Sequence, residues 1–154
     1  MDYEILTKKI VEADLGYTFE PSSNYSDLKT LGLPNEIIDF YKKFNPTRYR
    51  DGGPARLCGI DKIISENSEY VPGCDTSPQG IIVIATTFCG DGICINLNNK
   101  DQPDIYLISH ENDYENMEAE EILTMYPNKK VCASLSQFLY IYSTNDKQKL
   151  DLNL

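Results

Sequence analysis

The residues most able to do chemistry in this chain are its thiols and its single histidine. The stretch FCGDGICINLNN, residues 88–99, holds Cys89 and Cys94 on either side of Asp91, which lies between two glycines. A Cys-His hydrolase would use His110 as its base and either thiol as its nucleophile, provided that the fold brings them together. Neither thiol carries a recognisable catalytic signature, so the sequence favours a protein that is not an enzyme.

The same residues are also candidates for binding a metal ion or a phosphate group. A zinc site would take Cys89, Cys94 and His110, with Cys74 or Cys58 as a further ligand. Structural zinc sites usually show close ligand pairs such as C-x2-C, and no such spacing occurs twice here. A phosphate loop would need a helix after its glycines, whereas an alternating apolar run follows. The sequence therefore predicts no metal and no cofactor.

The aspartate between the glycines has a simpler structural interpretation. Gly90 and Gly92 can adopt positive φ angles, and the Asp91 side chain can bond to nearby backbone. GIIVIAT before this point and GICINL after it both have the composition of strands, so a hairpin turn is predicted. Asp101 and Asp104 lie in the next polar connection, and no spacing marks them as a glycosidase pair.

Several helices must surround the strands that position these residues. The clearest is LPNEIIDFYKKFNP, in which four apolar residues fall on one stripe: Ile37, Phe40, Tyr41 and Phe44. Residues 2–13 form a second helix with Asp2 as its cap, and SLSQFLYIY a last one with Ser134 and Gln137 at capping-box spacing. A short helical piece capped by Ser26 and a helix around DKIISENSEYV are also predicted.

The strands determine the fold class. ARLCGI is predicted to be a short strand, and GIIVIAT, GICINL and DIYLIS follow within a short distance, which favours an antiparallel meander. Residues 46–56 and the stretch from Pro72 to Pro78 are predicted loops. We expect an α+β fold in which an antiparallel sheet of about four to six strands has helices packed on one face. Residues 1–154 should form one domain, because no linker or repeat divides them.

Charge and composition exclude several classes of partner and location. The chain has 24 acidic residues against 14 lysines and arginines, for a formal net charge of -10, so we expect no direct nucleic-acid partner. Membrane association is not expected either, because no apolar stretch approaches the ~20 residues that a span requires. The odd number of cysteines and the lack of a signal-peptide core indicate a reduced, cytoplasmic protein, which we expect to be a monomer.

The acidic residues are concentrated in residues 111–121, here called the acidic segment. Its six acids, with no base among them, are Glu111, Asp113, Glu115, Glu118, Glu120 and Glu121. Tyr114 and Met117 lie between them and are candidate apolar anchors for a basic protein partner. A basic stretch with one acid, Asp51, lies elsewhere and contains Lys42, Lys43, Arg48, Arg50 and Arg56. We therefore expect a polarised surface.

The order of these motifs resembles that of the SUKH superfamily, which contains the fungal Smi/Knr cell-wall regulators and many bacterial immunity proteins. The resemblance is strongest over residues 26–142 and rests on LGLPNEIIDFYKKFNP, GIIVIATTFCGDGICINLNN, DIYLISHEN and SLSQFLYIY. Asn45-Pro46 departs from the usual Asn-Gly of the family, and Ser134-Leu135 from its Ser-Phe. Both departures leave the expected α+β fold unchanged.

The resemblance implies a binding protein rather than a catalyst. Single-domain members in bacteria look like immunity proteins that neutralise a toxin of a polymorphic toxin system. A basic toxin, for example a nuclease, would suit the acidic segment, with Tyr114 as an anchor beside the six acids. The alternatives are a Smi/Knr-like regulatory adaptor that binds a signalling partner, and a Cys-His hydrolase that uses His110.

Overall fold

The structure is a computed structural model and describes residues 2–13, 15–47 and 53–144. Its strands are β1 (Thr18–Glu20), β2 (Asn45–Thr47), β3 (Arg56–Leu57), β4 (Ile81–Thr86), β5 (Gly92–Asn96), β6 (Asp104–Ile108) and β7 (Lys129–Cys132). They form a two-stranded sheet, β1-β2, and a five-stranded sheet in the order β3-β4-β5-β6-β7. All pairs are antiparallel, which confirms the predicted meander and the antiparallel sheet.

Helices account for most of the remaining elements. They are α1 (Tyr3–Glu12), α2 (Asn35–Lys43), α3 (Ile60–Ser68), α4 (Gly73–Thr76), α5 (Ala119–Thr124) and α6 (Leu135–Ser143). Two 3-10 helices span Asn24–Leu31 and Ser77–Gln79. Helices combined with antiparallel sheets make the predicted α+β class correct.

Side chains alternate between the two faces of the central sheet, and β4, β5 and β6 are buried on both because a cluster packs on each face. On one face Ile82 and Ile84 of β4 join the larger core, which also contains the apolar stripes of α1, α2 and α6. On the other face lies a smaller cluster formed by Ile81, Val83, Cys94, Ile108, Tyr114 and Ile122. The last two residues of this cluster belong to the chain between β6 and β7, so that connection covers the second face of the sheet.

The glycine-flanked aspartate reverses the chain between β4 and β5, as the sequence predicts. Gly90 has a φ of 99°, and its N–H donates to the Thr87 carbonyl at 3.2 Å. The Thr87 N–H in turn donates to the carbonyl oxygen of Asp91 at 2.9 Å. A side chain at position 90 would be strained by this φ, which explains the glycine.

Two predicted helix starts are confirmed and one is wrong. Asp2 Oδ1 accepts the N–H of Glu4 at 2.9 Å, and Ser134 Oγ accepts that of Gln137 at 3.1 Å. Ser26 does not cap a helix, because the 3-10 helix already begins at Asn24. A long-range hydrogen bond from the Ser22 N–H to the Lys42 carbonyl, 2.9 Å long, holds the chain just before this earlier start.

The sequence missed the shortest elements. β1 and β2 have three residues each, and β2 contains Pro46, which is tolerated because β2 lies at a sheet edge. The Pro72 to Pro78 stretch, predicted as a loop, contains α4 and the start of the second 3-10 helix. Of the predicted loop 46–56, residues 48–52 lie outside the described residues, and so do Arg48, Arg50 and Asp51 of the basic stretch.

The edge of β4 is completed by a side chain instead of a strand. β3 pairs only with Ala85 and Thr86 of β4, and the register between β4 and β5 shifts after Val83. Beside that shift, Asn67 of α3 accepts the Val83 N–H through Oδ1 at 2.8 Å and donates through Nδ2 to the Val83 carbonyl at 2.9 Å. The same Nδ2 donates to the Ile63 carbonyl at 2.8 Å. A buried amide therefore takes the place of a neighbouring strand.

The opposite edge of the sheet is basic. β7 has Lys129 and Lys130 at its start, and the side chain of Lys130 is half exposed. Its Nζ lies 3.1 Å from Oδ2 of Asp104, a buried carboxylate of β6 that also accepts Asn96 Nδ2 at 3.0 Å. This pairing satisfies a charge that would otherwise be costly to bury.

Candidate protein-binding surface

The acidic segment lies in the connection that crosses the second face of the sheet. All six of its acidic residues are exposed in the structure. Ile122 of α5 is fully buried in the smaller cluster, and it fixes the C-terminal end of the segment on the sheet. The segment therefore presents carboxylates to solvent from a backbone that is packed on the core.

Tyr114 lies in the interior, which corrects its assignment as an exposed anchor. Only 1% of the residue is accessible, and its ring belongs to the smaller cluster. Its hydroxyl donates to the Ser109 carbonyl at 2.8 Å and lies 3.0 Å from Asn128 Oδ1. Burial raises the pKa of Tyr114. The ring attaches the acidic segment to the sheet, because both the apolar ring and the hydroxyl find partners there.

Asn128 links the two ends of the chain between β6 and β7. Its Oδ1 accepts the Ser109 N–H at 2.8 Å as well as the Tyr114 hydroxyl, and its Nδ2 donates to the Ile122 carbonyl at 2.7 Å. One amide side chain thus satisfies groups from the end of β6, from the acidic segment and from α5. The sequence held no signal for this role, because the residues lie up to 19 positions apart.

The six acids divide into two groups of three by their local contacts. Asp113 Oδ1 accepts the Glu115 N–H at 2.9 Å, and Glu121 Oε2 accepts the Glu118 N–H at 2.8 Å at the start of α5. The Glu118 side chain completes this capping box by accepting the backbone N–H of Glu121. The side chains of Glu111, Glu115 and Glu120 have no hydrogen-bond or ion-pair partner within the described part of the chain. These three carboxylates are therefore available to a partner at no cost to local structure.

An exposed aromatic residue lies close to the acids, at a position that the sequence did not suggest. Tyr126 follows α5 and is 90% exposed, and its carbonyl accepts Asn112 Nδ2 at 3.0 Å. This bond ties it to the acidic segment. Met117, the other candidate anchor, is half-buried against the smaller cluster. Tyrosine is one of the residue types enriched at protein-binding surfaces.

The fold brings Cys89 and His110 together but keeps Cys94 apart. Cys89, His110 and Asp91 line one cavity of about 170 Å³, and Asp91 Oδ1 lies 2.7 Å from His110 Nδ1 and 3.0 Å from the His110 backbone nitrogen. Cys94 is buried in the smaller cluster, and burial raises the pKa of its thiol. The Asp91 side chain thus bonds across to the end of β6, beyond its own turn.

Two of the remaining thiols, Cys58 and Cys132, are buried, and the described side chains form no cluster that could hold a metal ion. Burial raises the pKa of Cys58 to about 12 and that of Cys132 to about 11, because a thiolate is poorly solvated inside the protein. Across residues 2–13, 15–47 and 53–144, no three His, Cys, Asp or Glu side chains are placed to hold a metal ion. The candidate ligands Cys89, Cys94 and His110 therefore belong to no such group in these parts of the chain.

Within the described residues, no helix is both long and apolar enough to cross a membrane.

Comparison with known families agrees with the motif order. Searches of curated proteins and of solved structures give no significant match. The family model for the SMI1 / KNR4 family (SUKH-1) matches residues 26–141, which include every strand of the central sheet and most of α6. The chain therefore belongs to the SMI1 / KNR4 family (SUKH-1).

Proposed function

We propose that this protein is an immunity protein that binds a basic toxin domain through the acidic segment and blocks it. The observation that supports this proposal is the set of six exposed carboxylates on a segment that contains no base. Membership of the SUKH-1 family is compatible with such a role. The partner would be a protein and not a nucleic acid, because the net charge of -10 repels phosphates.

The mechanism is steric and electrostatic occlusion. Opposite charges accelerate association by about 10- to 1000-fold at low ionic strength, and carboxylates can occupy the sites that a nuclease uses for phosphates. The hydrogen bonds of Asn128 and Tyr114 hold the segment in one conformation before binding, which reduces the entropy lost on association. Tyr126 supplies exposed apolar area beside the charges.

The partner is identified by purification from the native cell. Tagged protein should carry with it one basic toxin domain encoded by an adjacent gene, and addition of the purified protein should abolish the activity of that toxin. A co-purifying signalling protein with no toxin gene nearby would instead favour the regulatory adaptor. A toxin that is captured but stays fully active would contradict neutralisation.

Charge reversal tests the acidic segment directly. Replacing Glu111, Glu115 and Glu120 by lysine should slow association with the toxin about tenfold at low salt and flatten the salt dependence, because steering is lost. Stopped-flow kinetics at several salt concentrations measure both quantities. The fold should remain, since these three side chains have no partner in the described part of the chain.

The matched control changes net charge equally but elsewhere. Glu12, Glu20 and Asp27 are exposed residues of α1, β1 and the first 3-10 helix, on elements outside the connection that carries the acidic segment. Measured at the same low salt, their replacement by lysine should reduce the association rate by about twofold at most, because charges far from the contact steer the partner less, and at physiological salt these charges are screened further. Equal effects of the two triple variants would show that overall charge, and not the acidic segment, guides the partner.

A second candidate function is favoured by one observation, the cavity shared by Cys89, His110 and Asp91. In a thiol hydrolase Cys89 would attack an ester carbonyl, the alcohol would leave, and water would cleave the thioester with His110 moving the protons. The test measures hydrolysis of 4-nitrophenyl acetate by the unmodified protein, Cys89→Ser and His110→Gln. Turnover that disappears in both variants while thermal stability is kept would support this enzyme. Equal slow rates in all three would reject it.

A further inference from the structure

A second acidic site lies on the other side of the central sheet, between α1 and α2. There the first turn of α1 and one side of α2 line an open cleft of about 470 Å³. Both helices pack on the larger core, whereas the acidic segment is attached to the smaller cluster on the opposite face. The cleft is therefore a separate surface from the one to which we assign the toxin.

The floor of this cleft is aromatic. The ring centroids of Tyr3 and Phe40 lie 4.8 Å apart with an interplanar angle of 51°, and the ring centroid of Phe44 lies 6.0 Å from that of Phe40. Phe40 is buried, while Tyr3 and Phe44 are only partly covered and line the opening. Aromatic faces carry negative partial charge, so they attract a cation placed over them.

The rim of the cleft carries four carboxylates and one ammonium group. Asp2 caps α1, and Glu36 Oε1 accepts the Tyr3 hydroxyl at 3.4 Å, so these two acids have local structural roles. Glu4 and Asp39 have side chains with no hydrogen-bond or ion-pair partner among residues 2–13, 15–47 and 53–144. Both are exposed and line the cleft. Glu4 also lies in the first turn of α1, where a negative charge stabilises the helix, whereas Asp39 lies outside the first turn of α2.

Tyr3 responds both to its burial and to one acid of the rim. Partial burial and then the negative charge of Glu36 raise the pKa of Tyr3 to about 12. The cation on the rim, Lys43, leaves an excess of negative charge around the aromatic floor. A ligand that offers a positive charge and a flat apolar surface complements both features.

We propose that the cleft between α1 and α2 binds an arginine side chain of a protein partner. A guanidinium group is planar, so it can stack on Tyr3 or Phe44 while its N–H groups donate to the carboxylates of Glu4 and Asp39. Arginine suits the site better than lysine, since an ammonium group is more strongly hydrated and does not stack. This inference goes beyond the proposed function and does not depend on it.

The test uses a short peptide, acetyl-Gly-Arg-Gly-amide, and its citrulline analogue, which has nearly the same shape without the charge. Titration into ¹⁵N-labelled protein, followed by backbone amide chemical shifts, should give saturable changes at α1 and α2 with a dissociation constant in the millimolar range. The citrulline peptide should bind at least fivefold more weakly. Glu4→Gln combined with Asp39→Asn should weaken the arginine peptide about fivefold.

The control variant carries Glu115→Gln and Glu120→Gln in the acidic segment and should bind the peptide as the unmodified protein does. The proposal is overturned if the peptide causes no saturable shifts, if the citrulline analogue binds equally well, or if the shifts are spread over both acidic surfaces. These outcomes leave neutralisation of a toxin untouched, because that activity is measured separately.

Discussion

Replacing Asn67 by leucine is expected to lower the free energy of unfolding by about 4 kcal/mol, since it leaves two buried backbone groups without a partner. The N–H and the carbonyl of Val83 both bond to the Asn67 amide, at 2.8 and 2.9 Å, and β3 is too short to replace it. Leucine has nearly the same size, so the loss would come from the hydrogen bonds. Urea unfolding followed by circular dichroism measures the change.

The matched control for this experiment is Asn24→Leu. Asn24 is exposed at the start of the first 3-10 helix, and its side chain has no hydrogen bond within the described residues. We expect a change below about 0.5 kcal/mol, as for other surface substitutions. A cost below about 1 kcal/mol for Asn67→Leu would mean that water or a longer β3 satisfies Val83, and would contradict the structural role given to this amide.

Replacing Asn128 by alanine is expected to cost about 3 kcal/mol, because three hydrogen bonds at the base of the acidic segment are lost together. The Ser109 N–H, the Tyr114 hydroxyl and the Ile122 carbonyl would each lose their asparagine partner. Hydrogen exchange should also show faster opening of residues 109–128 than of β4 and β5. This regional pattern separates the variant from a general loss of stability.

Asn112→Ala provides the comparison within the same connection. Its Nδ2 donates to the Tyr126 carbonyl at 3.0 Å in an exposed position, so we expect a loss of about 1 kcal/mol, well below that of Asn128→Ala. If Asn128→Ala slows association with the toxin while Asn112→Ala does not, the fixed conformation of the acidic segment contributes to binding. Uniformly faster exchange over the whole chain after Asn128→Ala would contradict a local role.

Much of the fold could be predicted because its signals are local. The stripe on α2, the caps of α1 and α6, and the turn at Gly90 each depend on a few neighbouring residues, and the structure confirms them. Gly92, for which the sequence also allows a positive φ, is the first residue of β5. The missed elements are three or four residues long or, like α5, begin among acids that suggest a solvated loop. These short elements form by pairing between distant parts of the chain. The periodicity of a single segment does not reveal such pairing.

The candidate surface was predictable in its charge but not in its aromatic residues. Six acids in one segment had to be exposed, since charges are rarely buried without partners. Tyr114 and Tyr126 look alike in the sequence, yet the first is 1% exposed and the second 90%. The difference arises because Asn128 and Ser109 offer partners to one hydroxyl, and only the folded chain brings them near it.

The edges of the five-stranded sheet have a consequence for self-association. Exposed strand edges attract other strands, and this is a common route to aggregation. Here β3 offers two residues, the Asn67 amide occupies the neighbouring backbone groups, and β7 begins with two lysines. A second copy that approached the β3 end would find few free donors and acceptors, and at the β7 end it would meet the half-exposed side chain of Lys130. We therefore expect edge-to-edge pairing between copies to be disfavoured.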